Sequence, residues 1–578
     1  MKQGLLKGSR SRILAAVILA IAAIFVVRLF YLQVIQHEHY VGKAKAEQES
    51  RFIIPAKRGE IYAMSGERQV KLVMNQTVYT VFADPMTVTK KSEIIQTLND
   101  VAGGNVREGF AQLLDAKNRY QVLATKLSRV QADKIKEKGY NGIGFQEVSQ
   151  RVYPEGALAS QVLGFVNNEG KGTYGVESAL DTELHGTDGV LQSVTDVSNV
   201  PLTIGNNNIR EPAQDGKDVV LSIDRSVQSK VEQALAAGMQ RTKATHASAV
   251  VMDPKTGRVM AMANLPTYNP SEIDKVVDVA DFNNNVISDP YEPGSTIKTF
   301  TMSTAIDKNV ARATDTFNNT DFIQVGDAPI SNATKGKTGV ITFQTAMNWS
   351  LNTGFVTIAQ RLGDGKNITR SARDTMYEYF HDRFRMGAKT GVELANEAPG
   401  LVISPAELEG SEVRYSNMSF GQGMDATMIQ VAAGFSSMVN GGNYYKPTVI
   451  SGYMTSEGYE ANTAPEPVAT GVIAPGTADQ IKAMMNEARR SSFASVDKPG
   501  YVIGGKTGTS QVSKNGVYSN NQSIGSYIGY GGSDTPEYVI MVRVSGENQE
   551  LQGARDALPI FTDISNWMID YLKIQPKG

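Results

Sequence analysis

Three groups of residues in this chain have the types and spacings that acyl transfer through a serine requires. Ser295 and Lys298 occur in YEPGSTIK, and Ser-x-x-Lys on a helix places both side chains on one face, one turn apart. A lysine amine beside a serine hydroxyl can take its proton and make the oxygen nucleophilic. The other two groups are Ser350 and Asn352 in WSLNTGF, and Lys506, Thr507, Gly508 and Thr509 in GGKTGTSQ.

A second Ser-x-x-Lys is present, and the residues around each copy distinguish the two. Ser495 and Lys498 are followed at once by Pro499 and Gly500, which would break a helix, so we interpret this copy as a loop. Ser295 instead precedes TIKTFTMSTAID, which has a helical apolar pattern. The sequence therefore places Ser295 at the N-terminus of a helix, where free N–H groups favour developing negative charge.

Lys-Thr-Gly occurs four times, beginning at Lys255, Lys337, Lys389 and Lys506. The Lys255 copy lies between two apolar runs and is predicted to be a hairpin turn. The Lys337 copy is expected in a loop before one long helix, TFQTAMNWSLNTGFVTIAQRLG, and the Lys389 copy in another loop, neither of them beginning or ending an apolar strand. Lys506 alone lies within strand-like sequence, flanked by small residues that let a ligand approach the backbone.

The sequence on both sides of these residues predicts the strands and helices that would position them. The run VVLSID predicts a strand, followed by a helix that opens at Asp224. After Lys506, SIGSYIGYGG and PEYVIMVRVSG predict further strands, and ALPIFTDISNWMIDYLK predicts a covering helix. Upstream, RQVKLVMN and TVYTVFA predict strands and KSEIIQTLNDVA a helix, and residues 200–218 are predicted to be a linker.

The beginning of the chain is predicted to be a membrane anchor. Residues 13–27 are an unbroken apolar run that resumes after Arg28, which gives roughly the 20 residues that a spanning helix needs. Lys2, Lys7, Arg10 and Arg12 precede the run and favour a cytoplasmic N-terminus. A cleaved signal peptide is the alternative, and it would require a shorter apolar core and a small-x-small cleavage site.

Composition excludes several classes of protein. The chain has 578 residues, 41% hydrophobic and 20% charged, with a formal net charge of -2, so we expect a large folded core and no nucleic-acid partner. It has no cysteine, which excludes disulfides, thiolate zinc sites and a cysteine nucleophile. His37 and His39 lack a third ligand at helical spacing, and no metal or organic cofactor is expected.

The order and spacing of the three groups resemble the penicilloyl-serine transferases. YEPGST-x-K, RYSNMSFGQGMDATMIQVAAGFSSMVNGG and GGKTGTSQ are similar to the transpeptidase domain of class B penicillin-binding proteins. AKRGEIYAMSG, RVYPEGALASQVLGFV and GTYGVESALDTELHG are similar to the three N-terminal motifs of that class. The resemblance covers nearly the whole chain. The chain length and the sequence around Ser295 look most like those of the cell-division enzymes.

The resemblance implies an α+β fold: a transpeptidase domain with an antiparallel sheet covered by helices and a helical subdomain, behind an elongated mixed α/β pedestal. The corresponding domains are a cytoplasmic tail at 1–12, a transmembrane anchor at 13–35, a pedestal or dimerisation-like domain at 36–215 and a transpeptidase domain at 216–578. The bulk of the chain would then lie outside the bacterial cell membrane.

The implied reaction is peptidoglycan cross-linking at the D-Ala-D-Ala end of a stem peptide. Ser295 would attack the penultimate carbonyl, with Lys298 as base, Ser350 as proton relay and Asn352 as an orienting residue. Lys506, Thr507, Gly508 and Thr509 would bind the terminal carboxylate, and the N–H groups of Ser295 and Thr509 would form the oxyanion hole. Implied partners are stem peptides, β-lactams, a membrane glycan polymerase of the shape/division family and other division proteins.

In the first extracytoplasmic region, Arg58 with Gly59, Arg151 and Glu177 match motif positions of the class. Two interpretations are open: a structural ion-pair network, or a surface that couples the pedestal to the glycan polymerase.

Two positions depart from the class pattern. Thr299 replaces a usual proline, which should change the helix start only mildly, and residues 63–66 replace Asp-Arg-Asn-Gly-like sequence, which puts any partner contact of that Asp-Arg pair in doubt.

Other functions remain as alternatives. An elongation-type transpeptidase and a catalytically idle division scaffold share the same fold. A secreted β-lactamase is disfavoured by the anchor and pedestal, a bifunctional synthase by the lack of room for a glycosyltransferase, and a β-lactam receptor by the single apolar span.

Overall fold

The computed structural model describes residues 5–40, 43, 49–194, 209–514 and 517–577. They form two compact units, residues 1–58 with 185–216 and residues 59–184 with 217–578. The strands are β1 (Glu49–Ile54), β2 (Ile61–Ser65), β3 (Arg68–Ala83), β4 (Gln121–Leu127), β5 (Ile143–Val152), β6 (Phe165–Val166), β7 (Gly172–Thr173), β8 (Gly189–Val194), β9 (Ile209–Glu211), β10 (Asp218–Asp224), β11 (His246–Met252), β12 (Val259–Leu265), β13 (Thr316–Asn319), β14 (Phe322–Val325), β15 (Ala328–Ser331), β16 (Gly339–Thr342), β17 (Ile450–Thr455), β18 (Gly458–Ala461), β19 (Val502–Lys514), β20 (Val517–Gly532) and β21 (Pro536–Ser545).

The helices are α1 (Leu5–Phe30), α2 (Lys91–Val101), α3 (Phe110–Leu113), α4 (Arg129–Lys136), α5 (Ser160–Leu163), α6 (Gly175–Ala179), α7 (Asp181–His185), α8 (Arg225–Thr242), α9 (Asn285–Ser288), α10 (Lys298–Asp307), α11 (Phe343–Trp349), α12 (Asn352–Arg361), α13 (Arg370–Tyr377), α14 (Glu412–Met418), α15 (Met428–Val439), α16 (Pro475–Phe493) and α17 (Leu558–Tyr571).

The smaller unit contains the apolar helix and one sheet. Helix α1 continues into a π-helical turn at Tyr31–Ile35, and Arg10–Ile35 is long and apolar enough to cross a membrane. Strands β1, β8 and β9 form an antiparallel sheet in that order. The prediction of an irregular linker at 200–218 is wrong at Ile209–Glu211, because pairing with β8 makes this segment an edge strand; residues 200–208 lie outside the described residues.

One sheet of the larger unit contains strands from both halves of the sequence. Its order is β18-β17-β10-β2-β3-β4, with β5 also pairing with β3. The two predicted runs around residue 75 form the single strand β3. Residues 63–66, which differ from the pattern of the class, lie at the end of β2 and in the β2–β3 hairpin turn. The Gly66 N–H donates to Asp224 Oδ2 (3.0 Å). Asp224 also caps α8 by accepting from Ser226 and Val227 N–H.

The predicted strand that carries Lys506 lies at the edge of a five-stranded antiparallel sheet, ordered β12-β11-β21-β20-β19. Helices α8 and α17 cover one face with apolar side chains such as Val231 and Phe561. The other face contacts the larger core, which contains residues of α10, α15 and α16 such as Phe300 and Met485. Alternation along each strand places successive side chains on opposite faces, so the sheet is buried on both sides. An antiparallel sheet covered by helices was expected, and the structure has it.

Two local predictions are wrong. The single helix expected over residues 342–363 is broken into α11 and α12, because Ser350 has a left-handed backbone (φ 56°). The Lys337 copy of Lys-Thr-Gly does begin a strand, since β16 starts at Gly339 and pairs with β13. The Lys255 copy is the predicted hairpin turn between β11 and β12.

Candidate active site

Ser295 lies in a tight turn immediately before α10. Gly294–Ile297 form a 3-10 turn that leads into the helix at Lys298. Ser295 is half-buried there. Thr299, which replaces the usual proline, is buried, and its hydroxyl donates to the Thr296 carbonyl (2.7 Å). The substitution therefore leaves the helix start intact and satisfies one carbonyl of the turn.

Close backbone packing fixes this turn. Gly294 has a left-handed backbone (φ 60°), and a Cβ there would lie 2.8 Å from the Thr509 carbonyl oxygen. Its N–H donates to the Gly421 carbonyl (2.9 Å). A Cβ on Gly421 would lie only 1.9 Å from the Gly294 oxygen. The Ser295 turn is thus packed against two backbone segments, and both can approach it closely because Gly294 and Gly421 lack side chains.

Lys298 is fully buried and directed at the corner between α11 and α12. Its Nζ donates to the Ser350 carbonyl (2.7 Å) and Asn352 Oδ1 (2.7 Å), and lies 3.2 Å from Ser350 Oγ. Burial, and secondly the positive charge of Lys506, lower the pKa of Lys298 well below its usual value. A neutral amine has two N–H donors, which the two acceptors at 2.7 Å would take, and its lone pair remains for a hydroxyl proton.

The break at Ser350 makes this geometry possible. Its left-handed backbone ends α11 and starts α12 at Asn352. The turn presents the Ser350 carbonyl and hydroxyl to the same amine. Asn352 Nδ2 donates to the Ser331 carbonyl (2.9 Å), so the Asn352 amide is fixed with its oxygen on Lys298 and its nitrogen on β15.

Lys506 approaches the same hydroxyl from the sheet. Its Nζ lies 2.9 Å from Ser350 Oγ and 3.2 Å from both Thr507 oxygens, the carbonyl and the hydroxyl. The side chain is buried, and among the described residues no carboxylate is within 4.0 Å of its Nζ. Burial lowers the pKa of Lys506 to about 7. A buried cation without an anionic partner is a feature of sites that receive an anion.

The residues after Lys506 lie against the Ser295 turn. A Cβ on Gly508 would lie 2.8 Å from the Pro293 carbonyl oxygen. Thr509 Oγ1 accepts from the Gly553 N–H (3.1 Å). The structure therefore brings the Ser295 turn, Lys298, Ser350, Asn352 and Lys506 with its following residues into one cluster.

The pedestal residues lie in a separate buried cluster. Arg151 donates to Glu177 Oε1 (2.7 Å), the Gly59 carbonyl (2.7 Å) and Asn75 Oδ1 (3.0 Å). The Arg151 and Glu177 side chains are 7% and 0% exposed. A Cβ on Gly59 would lie 1.9 Å from the Lys217 carbonyl oxygen. Arg58 is half-buried in the loop between β1 and β2. In this structure Arg151 and Glu177 thus link β5, the start of β2 and α6.

The second Ser-x-x-Lys and the Lys389 copy of Lys-Thr-Gly make contacts outside this site. Lys498 forms an ion pair with Asp570, and Ser495 is exposed. At the Lys389 copy, the N–H groups of Thr390 and Gly391 bind the Glu397 carboxylate (2.6 and 2.9 Å). That turn binds a carboxylate of its own chain.

Sequence reasoning missed Glu292, three residues before Ser295. Its Oε1 accepts from the Gly423 N–H (2.7 Å) and the Tyr518 hydroxyl (2.8 Å). Burial raises the pKa of Glu292. Phe355 was also missed: Lys298 Nζ lies 5.5 Å from its ring centroid. Its position one turn after Asn352 was the available signal, whereas the contacts of Glu292 come from distant segments.

This arrangement can support nucleophilic acyl transfer. An amine with lowered pKa lies one turn from a serine, and a second hydroxyl lies between that amine and a second buried lysine.

The sequence matches two protein families. The family described as penicillin binding protein transpeptidase domain matches residues 247–566, and the family described as penicillin-binding protein dimerisation domain matches residues 53–221.

The similarity to known proteins extends over nearly the whole chain. Stage V sporulation protein D of Bacillus subtilis is 29% identical over 577 residues, covering 98% of this chain and 87% of that protein. A protein of Mesostigma viride named peptidoglycan D,D-transpeptidase FtsI homolog is 27% identical over 581 residues, covering 95% and 93%. The crystal structure of penicillin-binding protein 2X from Streptococcus thermophilus superimposes with a TM-score of 0.73 at 22% identity, covering 91% of this chain and 80% of that one. This last likeness confirms the expected fold.

Proposed function

The chain belongs to the class B penicillin-binding proteins and is a serine-type D,D-transpeptidase, and we propose that Ser295 is its nucleophile. The observation that carries this proposal is the position of Lys298: a buried amine of lowered pKa, one turn after Ser295, bound to Ser350 and Asn352. The substrate class is peptidoglycan, and the reacting end is the D-Ala-D-Ala terminus of a stem peptide.

In the acylation step, Ser295 Oγ bonds to the penultimate D-Ala carbonyl carbon while its proton passes to Lys298. The bond to the terminal D-Ala nitrogen then breaks, and that nitrogen receives the proton from Lys298 through the Ser350 hydroxyl. The contact of Ser350 Oγ with Lys298 Nζ supports this role, and the contact with Lys506 Nζ holds the same hydroxyl in place.

Lys506 and Thr507 would hold the terminal carboxylate, with Thr509 beside them. The absence of a carboxylate near Lys506 in the described residues supports this assignment, because an anionic substrate would pair the buried charge. The N–H groups of Ser295 and Thr509 would form the oxyanion hole, a type of stabilisation often worth about 3–4 kcal/mol in the transition state. The packing of Gly294 against Thr509 brings these two segments together.

Deacylation would use the amine of a neighbouring stem peptide. The amine nitrogen bonds to the acyl carbon and gives up a proton to Lys298, the ester bond to Ser295 breaks, and Lys298 passes that proton to Ser295 Oγ. The products are a cross-link and free enzyme, with D-Ala already released. β-Lactams would acylate Ser295 in the same way, because their strained amide replaces the scissile bond.

The cellular setting is part of the proposal. Arg10–Ile35 would anchor the chain as a single span, with the basic residues before it in the cytoplasm. Septal cross-linking is supported by the resemblance of the sequence around Ser295 to the cell-division enzymes, with a membrane glycan polymerase and other division proteins as partners. A role in sporulation is the second candidate, favoured by the similarity to stage V sporulation protein D over 98% of this chain.

Mass spectrometry of the full chain in detergent after incubation with benzylpenicillin tests the nucleophile. We expect one adduct, on the peptide that contains Ser295, and no adduct in Ser295→Ala. Ser495→Ala is the matched control, since that serine lies in the other Ser-x-x-Lys, and it should acylate like the wild type. An adduct on Ser495, or none in a folded sample, would overturn the assignment of Ser295.

A further inference from the structure

An exposed tryptophan lies next to the proposed relay serine. Trp349 is the last residue of α11, and Ser350 follows it at the break. Its side chain is 47% exposed. A large aromatic surface left open beside a substrate cleft is suited to contact with a ligand.

Lys337 covers this tryptophan. Its Nζ lies 3.9 Å from the centroid of the Trp349 ring, within cation–π distance. Lys337 belongs to the Lys-Thr-Gly copy that the sequence presents as a plain loop, and the catalytic proposal gives it no role. Among the described residues, no carboxylate is within 4.0 Å of its Nζ. Lys337 is therefore a cation that the protein's described carboxylates leave unpaired.

Hydrogen bonds tie the Lys337 loop to the active-site helix. Asn319 Nδ2 donates to the Lys337 carbonyl (2.8 Å), and Asn319 Oδ1 accepts from the Thr353 hydroxyl (2.8 Å). Thr353 directly follows Asn352. Asp321 Oδ2 accepts from the Gly336 N–H (2.7 Å). These contacts fix the loop against the start of α12, so the position of Lys337 over Trp349 is built into the site.

We propose that Lys337 and Trp349 form a subsite for the donor stem peptide, in which Lys337 pairs with a carboxylate other than the terminal one. This inference rests on the proposed function. Continuity supports it, because Trp349 is bonded to Ser350. The donor is the occupant because Ser350 is the proposed proton relay to the donor's leaving nitrogen, and a carboxylate of that peptide would neutralise Lys337. The Trp349 face would contact the apolar part of the same peptide.

Two synthetic peptides that end in D-Ala-D-Ala test the subsite. They are identical except that one carries a glutamate and the other a glutamine two residues before the terminal pair. The measurement is the concentration of each peptide that halves the rate at which benzylpenicillin acylates Ser295, which needs no turnover of the peptide. The readout is the ratio of the two concentrations within one protein, so a general loss of activity cancels.

For the wild type we expect the glutamate peptide to protect at a concentration about three- to tenfold lower than the glutamine peptide. Lys337→Ala should bring the ratio to one, and Lys337→Arg, which keeps a charge that stacks on tryptophan, should keep most of it. Lys335→Ala is the matched control: it removes an exposed lysine of the same loop and should retain the wild-type ratio.

Three outcomes would overturn the subsite: equal protection by both peptides in the wild type, a ratio unchanged in Lys337→Ala, or equal loss in Lys335→Ala. The last would mean a general effect of positive charge. Failure of the proposed function is distinct, since benzylpenicillin would then leave Ser295 of the wild type unmodified before any peptide is added.

Discussion

Lys298 and Lys506 are joined through one oxygen: Ser350 Oγ lies 3.2 Å from the first Nζ and 2.9 Å from the second. Both side chains are buried, and the pKa of each is lowered, chiefly by burial. The charge on Lys506 further lowers the pKa of Lys298, so Lys298 loses its proton first. At intermediate pH the pair therefore holds one neutral amine and one ammonium, which suits a base and an anion-binding group.

This ordering predicts a bell-shaped pH dependence for acylation by benzylpenicillin. The rate should rise as Lys298 becomes neutral and fall as Lys506 loses its proton, with the alkaline limb of the free enzyme centred at the Lys506 pKa of about 7. In Lys506→Arg the guanidinium stays charged at every accessible pH. We expect the alkaline limb to disappear in this variant, as measured by stopped-flow acylation between pH 5 and 10.

Lys389→Arg is the control for that profile. It makes the same exchange in another Lys-Thr-Gly copy, whose turn binds Glu397, and it should leave both limbs in place. An alkaline limb that persists in Lys506→Arg would assign the deprotonation to another group.

Asn352→Asp should place a carboxylate where an amide oxygen now lies 2.7 Å from Lys298 Nζ. An adjacent carboxylate raises the pKa of a lysine by about 1–3 units. The acidic limb of the acylation profile should therefore move to higher pH by a similar amount, and acylation at pH values below that limb should slow about tenfold or more. Asn348→Asp is the control, since that side chain bonds Gln344 (2.7 Å). An equal fall at every pH would contradict a pKa effect.

Gly421→Ala should disturb the nucleophile turn. The new Cβ would lie 1.9 Å from the Gly294 oxygen, and the backbone φ of 89° already disfavours a side chain. Gly441 has a similar φ of 90° but nothing within 4 Å of its Cβ position, so Gly441→Ala should show the backbone strain alone, about 1–2 kcal/mol. We expect Gly421→Ala to lower the melting temperature further and to slow acylation. Equal melting temperatures would contradict the predicted clash.

Arg151→Met should destabilise the protein, because it removes three hydrogen bonds from a buried cluster, those to Glu177, the Gly59 carbonyl and Asn75. Removing one member of a buried ion pair costs up to about 3–5 kcal/mol. Arg225→Met removes the half-exposed partner of Glu155 and should cost about 1 kcal/mol or less. Urea unfolding of the two variants measures the difference. A stable Arg151→Met that fails to localise to the septum would favour the partner surface instead.

Most of the candidate site could be predicted because its residues lie in short continuous motifs. Ser295 and Lys298 are one helical turn apart, and Lys506 to Thr509 are consecutive on a strand. The strand and its sheet follow from the apolar runs on β20 and β21, and the cap of α8 follows from Asp224 at the end of a strand.

The break between α11 and α12 could not be predicted in this way. The apolar pattern continues through Ser350 and gives no sign of the break. The contacts at the break involve residues distant in sequence: Lys298 donates to the Ser350 carbonyl, and the Asn352 amide donates to the Ser331 carbonyl. The approach of Gly421 to Gly294 and the pairing of β9 with β8 are also between distant segments, and local propensity does not report them.

The left-handed backbone at Ser350 also limits which amino acids can occupy that position during evolution. Threonine carries the same hydroxyl, but a β-branched residue at φ 56° is a severe steric outlier. Asparagine, aspartate and glycine tolerate that backbone but offer no hydroxyl between the two lysines. Serine therefore meets both demands, whereas threonine, chemically the most conservative replacement, would add backbone strain of about 1–3 kcal/mol at this position.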